Sequence, residues 1–121
     1  MTISALIIAR NEEDKIERSL KSLNFANEIV VVLDRSTDKT ESKSLQYTKK
    51  IYRGSWESEG QRRNYGLSKC NSNWILEIDA DEVVSKNLAK EIRKKMSQNN
   101  SDFYYIPIKN YVGNLSVPNG W

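Results

Sequence analysis

The sequence predicts a three-layer α/β fold, a mostly parallel sheet with helices on both faces. Three observations carry that expectation. Runs of branched apolar residues alternate with segments of helical periodicity along the chain. Several of those runs are continuously apolar, as in strands buried on both faces. Three polar clusters, 10–13, 34–38 and 79–82, follow such runs directly. In sheets of this kind, ligands bind beyond the carboxyl ends of the strands.

The elements follow in order. Residues 2–9 form a short apolar run and read as a buried strand. It stops at Arg10-Asn11-Glu12-Glu13-Asp14, where Asn11 suits a helix N-cap and the acids suit a first turn. Ile16, Leu20 and Leu23 then recur at helical spacing, which predicts a helix ending near Asn24. Residues 29–33 are a second β-branched run, ending at Asp34. Ser36 or Thr37 is the expected cap of a second helix reaching about Tyr47. Residues 50–52 are a weak third strand, and 53–57 a loop. Ser58 and Gln61 have capping-box spacing, so a helix is expected from about Glu59 to Lys69.

Residues 74–78 are aromatic and branched, the fourth strand, and give way to Asp79-Ala80-Asp81-Glu82. Ser85 caps a helix with Leu88, Ile92 and Met96 on one face, and residues 102–108 read as a fifth strand. Residues 110–121, with two glycines and a proline, read as loop. Trp56 and Trp74 are expected in packing, and Cys70 as a small buried hydrophobe.

Composition narrows the chemistry. The 121 residues fit one domain, and 38% hydrophobic content is enough for one core. There is no histidine, which excludes Ser-His-Asp and Cys-His nucleophilic sites and zinc sites that need imidazole. One cysteine excludes an internal disulfide and a thiolate cluster, and suits a reducing compartment. Metal chemistry must therefore use oxygen ligands, which means magnesium, manganese or calcium. No apolar run is long enough to span a membrane, and no signal peptide is expected. The net charge of +3 suits a solvated surface, or contact with nucleic acid, phosphorylated substrates or an anionic membrane. Lys86, Lys90, Arg93, Lys94 and Lys95 crowd one helix, as a solvated face or a membrane-facing one.

Asp79 and Asp81 are two apart, so continued extended geometry would point them the same way. Convergent carboxylates repel unless a cation sits between them, which makes a site for a hard divalent ion with positions left for phosphates. The bland reading is a connection with solvated acids. Asp34 is either a turn aspartate or an acceptor for ribose hydroxyls or a base edge. Asn11 and Glu12 either cap a helix or wall a nucleobase. Gln61-Arg62-Arg63-Asn64 places two arginines where the helix dipole disfavours them. A diphosphate or a carboxylate would account for at least one. The other is expected at the surface or beside an acid.

These residues, 9–13, 31–40, 61–64 and 78–82, together resemble the signatures of family 2 glycosyltransferases, which have the GT-A fold. Within that family the chain looks most like lipopolysaccharide core glycosyltransferases, through Asn110-Tyr111-Val112-Gly113 and Asn119-Gly120-Trp121. The resemblance implies inverting transfer of a sugar from a nucleoside-diphosphate donor to a glycan or lipopolysaccharide-type acceptor. It implies that Ala9, Asn11, Glu12, Asp34, Arg63, Asp79 and Ala80 line the nucleotide-sugar site. Asp81, with Asp79, would hold Mg2+ or Mn2+. Residues 1–109 would be the donor-binding domain, and 110–121 a loop leading into an acceptor-side region beyond Trp121. The general base would lie there too, so the chain alone is expected to be inactive.

The resemblance also implies a cytoplasmic or membrane-peripheral protein, and self-association if the missing region normally covers the sheet. Many family members carry two acids at the end of the second strand, where this chain has Leu33-Asp34. A sugar-phosphate nucleotidyltransferase would want a glycine-rich loop after the first strand, and 9–13 has no glycine. The alternative from another class is a non-catalytic basic module that binds nucleotides or nucleic acid. No nucleic-acid motif supports it, and no nucleic-acid partner is expected.

Overall fold

The structure is a computed structural model and describes residues 2–98 and, as backbone, 104–107. Nine elements alternate along it. They are β1 (Ile3–Ala9), α1 (Ile16–Lys21), β2 (Glu28–Asp34), α2 (Thr40–Ser44) and β3 (Ile51–Gly54), then α3 (Glu59–Ser68), β4 (Trp74–Asp79), α4 (Lys86–Ser97) and β5 (Tyr104–Pro107). The sheet order is β3-β2-β1-β4-β5, and every pairing is parallel. The expected α/β class and parallel sheet are therefore present. The expected loop over 110–121 lies outside the described residues, as do the outer ends of the expected fifth strand.

Alternation along the strands divides the core in two. Ile3, Ala5 and Ile7 of β1, Val31 and Leu33 of β2, and Trp74, Leu76 and Ile78 of β4 share one cluster with Ile16, Leu20, Ile92 and Met96. That face carries α1 and α4, with Tyr47 after α2 packed against it. Leu6, Val30, Val32 and Ile75 form the other cluster, closed by Tyr65 and Leu67 of α3 and by Trp56. Trp74 is fully buried, and the Trp56 ring leans on Tyr65 at 5.1 Å. Cys70 is half-buried, and burial pushes its thiol up to about 12.

Gly66 sets how closely α3 lies on the sheet. A Cβ there would meet Leu6 Cδ1 at 2.8 Å and Val32 Cγ2 at 3.2 Å. Gly66→Val is therefore expected to destabilise by about 1–3 kcal/mol, the cost of overpacking a filled core. Chemical denaturation measures it, and an unchanged midpoint would show that α3 can move off.

Two caps are as expected. The Leu88 N–H donates to Ser85 Oγ at 3.0 Å, and the Gln61 N–H to Ser58 Oγ at 3.1 Å. The Gln61 side chain accepts from the Glu57 N–H, one residue before the cap. The first two helices differ from expectation. The first helix does not start at Asn11 or reach Asn24, and the second does not reach Tyr47. Neither has a side-chain cap at its first residue. The polar residues expected to cap them are engaged instead in bonds between two loops.

Candidate functional site

The carboxyl ends of β2, β1 and β4 lie side by side. Ile8 of β1 is in register with Val32 on one side and Asp79 on the other. Asp34 and Asp79 thus end strands on either flank of β1, two strand spacings or about 10 Å apart across the sheet.

Strand geometry ends at Asp79. The Glu82 N–H donates to the Asp79 carbonyl at 2.9 Å, and the Asp79 N–H to Glu82 Oε1 at 2.8 Å. Asp79 to Glu82 is therefore a closed turn, and the expected extended alignment of Asp79 with Asp81 does not occur. Acids favour this turn because their side chains can take backbone N–H groups that a strand would pair. Ala80 is buried in the core cluster, while Asp79 and Asp81 are exposed. Beyond the turn, the Val84 N–H donates to Ser22 Oγ at 3.0 Å, which ties its exit to the end of α1.

The chemistry of this donor set fits a hard divalent ion. Both carboxylates offer oxygen, the ligand such ions take. No group of three or more metal-binding side chains occurs among the described residues. An ion held by two acids alone would leave positions for phosphate and water, the usual habit of magnesium.

Asp34 is 1% exposed and meets two guanidinium groups. Arg62 Nη1 donates to its Oδ2 at 2.8 Å, and Arg35 Nε to its Oδ1 at 2.9 Å. Burial alone would push the Asp34 carboxyl up. The bonds from Arg62 and Arg35 outweigh it and hold the group below the usual carboxylate range. Arg35 adopts φ 57°, a left-handed conformation that costs a non-glycine residue energy.

The loops after β1 and β2 are knitted together. Asn11, at φ 52°, accepts on Oδ1 from the Thr37 N–H at 2.7 Å and the Asp38 N–H at 3.2 Å. In return the Asn11 N–H donates to Ser36 Oγ at 3.0 Å, and the Glu12 N–H to Thr40 Oγ1 at 2.8 Å. The Glu13 N–H donates to Asp38 Oδ2, and Lys43 Nζ to the Glu13 carbonyl. Ser36 also reaches back to the Ala9 carbonyl. Asn11 is thus a clamp between loops and not the cap of α1. Its tolerance of left-handed backbone suits it to this place.

Asn11→Ala should lose both accepted bonds and strain the backbone, costing about 2–3 kcal/mol. Asn11→Gly loses the bonds without the strain and should fall between Ala and wild type. Urea unfolding of the three proteins checks that order, and equal midpoints would contradict the clamp.

The family described as Glycosyl transferase family 2 matches residues 4–117. The chain belongs to this family. A relative named as an uncharacterized glycosyltransferase of Rickettsia bellii (strain RML369-C) is 39% identical over 103 residues, 84% of this chain and 35% of that protein. The lipopolysaccharide core biosynthesis glycosyltransferase LpsC of Rhizobium meliloti (strain 1021) is 31% identical over 93 residues, 73% of this chain and 34% of that one. The chain thus spans about a third of the length of these relatives. Among solved structures, the glucosyl-3-phosphoglycerate synthase of Mycobacterium tuberculosis in complex with Mn2+ and UDP-glucose shares the fold. It superposes with a TM-score of 0.59 at 24% identity, over 68% of this chain and 34% of that one.

The GT-A architecture expected from the motifs is the one found. In this family 2 chain the two helix arginines separate. Arg62 takes Asp34, while Arg63 Nε lies 3.5 Å from Glu77 Oε1. Both therefore meet carboxylates, and neither is simply a surface charge. The motif reading pointed to Arg63 and missed Arg62 as the partner of Asp34. One signal was available. Arg62 lies four residues before Gly66 and so shares the face of α3 that meets the sheet. Leu33, where many family members have an acid, is buried in the core.

Proposed function

We propose that this chain is the donor-binding part of an inverting glycosyltransferase. It would grip a nucleoside-diphosphate sugar through a divalent metal, for transfer to a saccharide or lipid-linked saccharide. The observation that carries this reading is the placement of Asp34 and Asp79 on either flank of β1. The two strands lie two spacings, about 10 Å, apart across the sheet, with their carboxyl ends opening on the same side. One end of the cleft offers a buried acid with two arginines, and the other offers exposed acids on a turn.

Asp81 and Asp79 would hold Mg2+ or Mn2+. Bound there, the ion would neutralise charge on the leaving diphosphate. Ala80, buried beneath the turn, fixes where those carboxylates stand. Asp34 accepts from the nucleoside once Arg35, 47% exposed, gives up its place, while the less exposed Arg62 stays. Ala9, Asn11 and Glu12 shape the neighbouring wall through the loop clamp. Arg63 holds the opposite helix edge against Glu77. The mycobacterial structure with Mn2+ and UDP-glucose supports this choice of metal and donor, and the name of LpsC supports a lipopolysaccharide-type acceptor. A single cysteine suits work in the cytoplasm.

The test is calorimetric titration of UDP and GDP with and without Mn2+. Binding that needs the metal supports the reading, and the absence of binding by either nucleotide overturns it. The chain alone is expected to transfer no sugar. Turnover in a donor-hydrolysis or transfer assay would show that it already contains the base.

A further inference from the structure

We propose that the flank made by α1 and α4 docks on the surface of an anionic lipid bilayer. Lys86, Lys90, Arg93 and Lys94 are spaced so as to share one face of α4, and all are exposed. Glu91, the acid of that helix, is half-buried on another side. Arg18 and Lys21 of α1 are exposed on the facing helix. Between the two helices runs a groove of about 360 Å3 whose lining includes Arg18, Lys21, Phe25, Val83, Lys86 and Ala89, and no acid. Val83 is 45% exposed, one of two large apolar side chains so exposed among the described residues. Arg93 donates to the Phe25 carbonyl at 3.1 Å and lies over its ring, which joins α4 to the turn after α1.

The distribution of charge sets this flank apart. Arg35, Arg53, Arg62, Arg63 and Lys50 each meet a carboxylate elsewhere on the surface. No ion pair among the described residues engages Arg18, Lys21, Lys86, Lys90, Arg93 or Lys94. Six of the chain's 19 basic residues are thus gathered on one flank, where α1 and α4 carry only Glu17 and Glu91 as acids. A basic rim around a shallow apolar strip matches the boundary between lipid headgroups and acyl chains. Nucleic acid fits less well. The one aromatic ring in the groove, Phe25, is half-buried and covered by Arg93, so no stacking platform is offered. Val83 directly follows the Asp79–Glu82 turn, so docking here would hold the metal-binding end of the cleft beside the bilayer.

Vesicle co-sedimentation tests this inference independently of sugar transfer. The chain should bind phosphatidylglycerol-containing vesicles, not pure phosphatidylcholine vesicles, and salt should release it. Lys90→Glu and Val83→Asp should each weaken binding on the order of tenfold. Lys49→Glu, on an exposed residue outside the groove, should change it less than about twofold. Equal binding to both vesicle types, or equal binding by Lys90→Glu and the unaltered chain, would overturn the proposal. So would binding to polyuridylic acid that Lys90→Glu abolishes in a chain that ignores vesicles.

Discussion

Asp34→Ala is expected to destabilise the chain by about 3 kcal/mol, the cost of breaking a buried ion pair from one side. Burial sets this cost. Asp34 is 1% exposed, and the Arg62 side chain 26% exposed. Removing the carboxylate strands a guanidinium whose Nε already lacks a partner among the described residues. Arg35, nearly half exposed, can turn to water and loses little. Asp34→Asn keeps an acceptor of similar shape and should cost less than Asp34→Ala. Denaturant unfolding of the three proteins gives the order. If Asp34→Ala unfolds at the wild-type midpoint, the pair has no hold on α3.

The same pair fixes the sign of a pH effect. The Asp34 carboxyl is held below its usual range, so the folded state binds this proton less readily than the unfolded chain does. Its contribution is present above the ordinary aspartate value of about 4 and is lost as pH falls through the lower folded value. The stability gap between wild type and Asp34→Asn should therefore narrow on acidification below about pH 4.

Much of the frame was legible before the structure. β1, β2 and β4 are continuous apolar runs, and such runs have few alternatives to a buried strand. Ser58 and Ser85 act locally, within four residues, so spacing alone placed them. The first two helices are shorter than their local sequence implies, for a physical reason. Asn11 and Asp38 spend their oxygens on each other's loops, more than 20 positions away in sequence, and local propensity cannot register such bonds.

The end of β4 is where the sequence puts it, but the turn that follows replaces the expected extended alignment of Asp79 and Asp81. Glu82 folds back onto the Asp79 N–H, and an alternation argument has no place for a side chain that caps a strand end. Arg62 and Arg63 are adjacent in sequence and so point about 100° apart around α3. Which of them faces Asp34 depends on how Gly66 seats the helix against Leu6 and Val32. That is a packing fact, visible only once α3 lies on the sheet.

The Asp79–Glu82 turn remains the point on which the functional reading depends. Both acids are exposed there, and the backbone bonds that hold the turn come from Glu82 and the Asp79 carbonyl, not from Asp81. Asp81→Asn should therefore leave stability within about 0.5 kcal/mol of wild type, as for a surface change. Its effect on ligand binding should be large, because an amide cannot replace a carboxylate as a ligand for a hard cation. The decisive measurement is calorimetric titration of UDP into wild type and Asp81→Asn, each with and without Mn2+. Mn2+ should strengthen binding to wild type at least about tenfold, a coupling of about 1.4 kcal/mol, and Asp81→Asn should abolish this gain. Tight binding that is indifferent both to Mn2+ and to the substitution would contradict that reading.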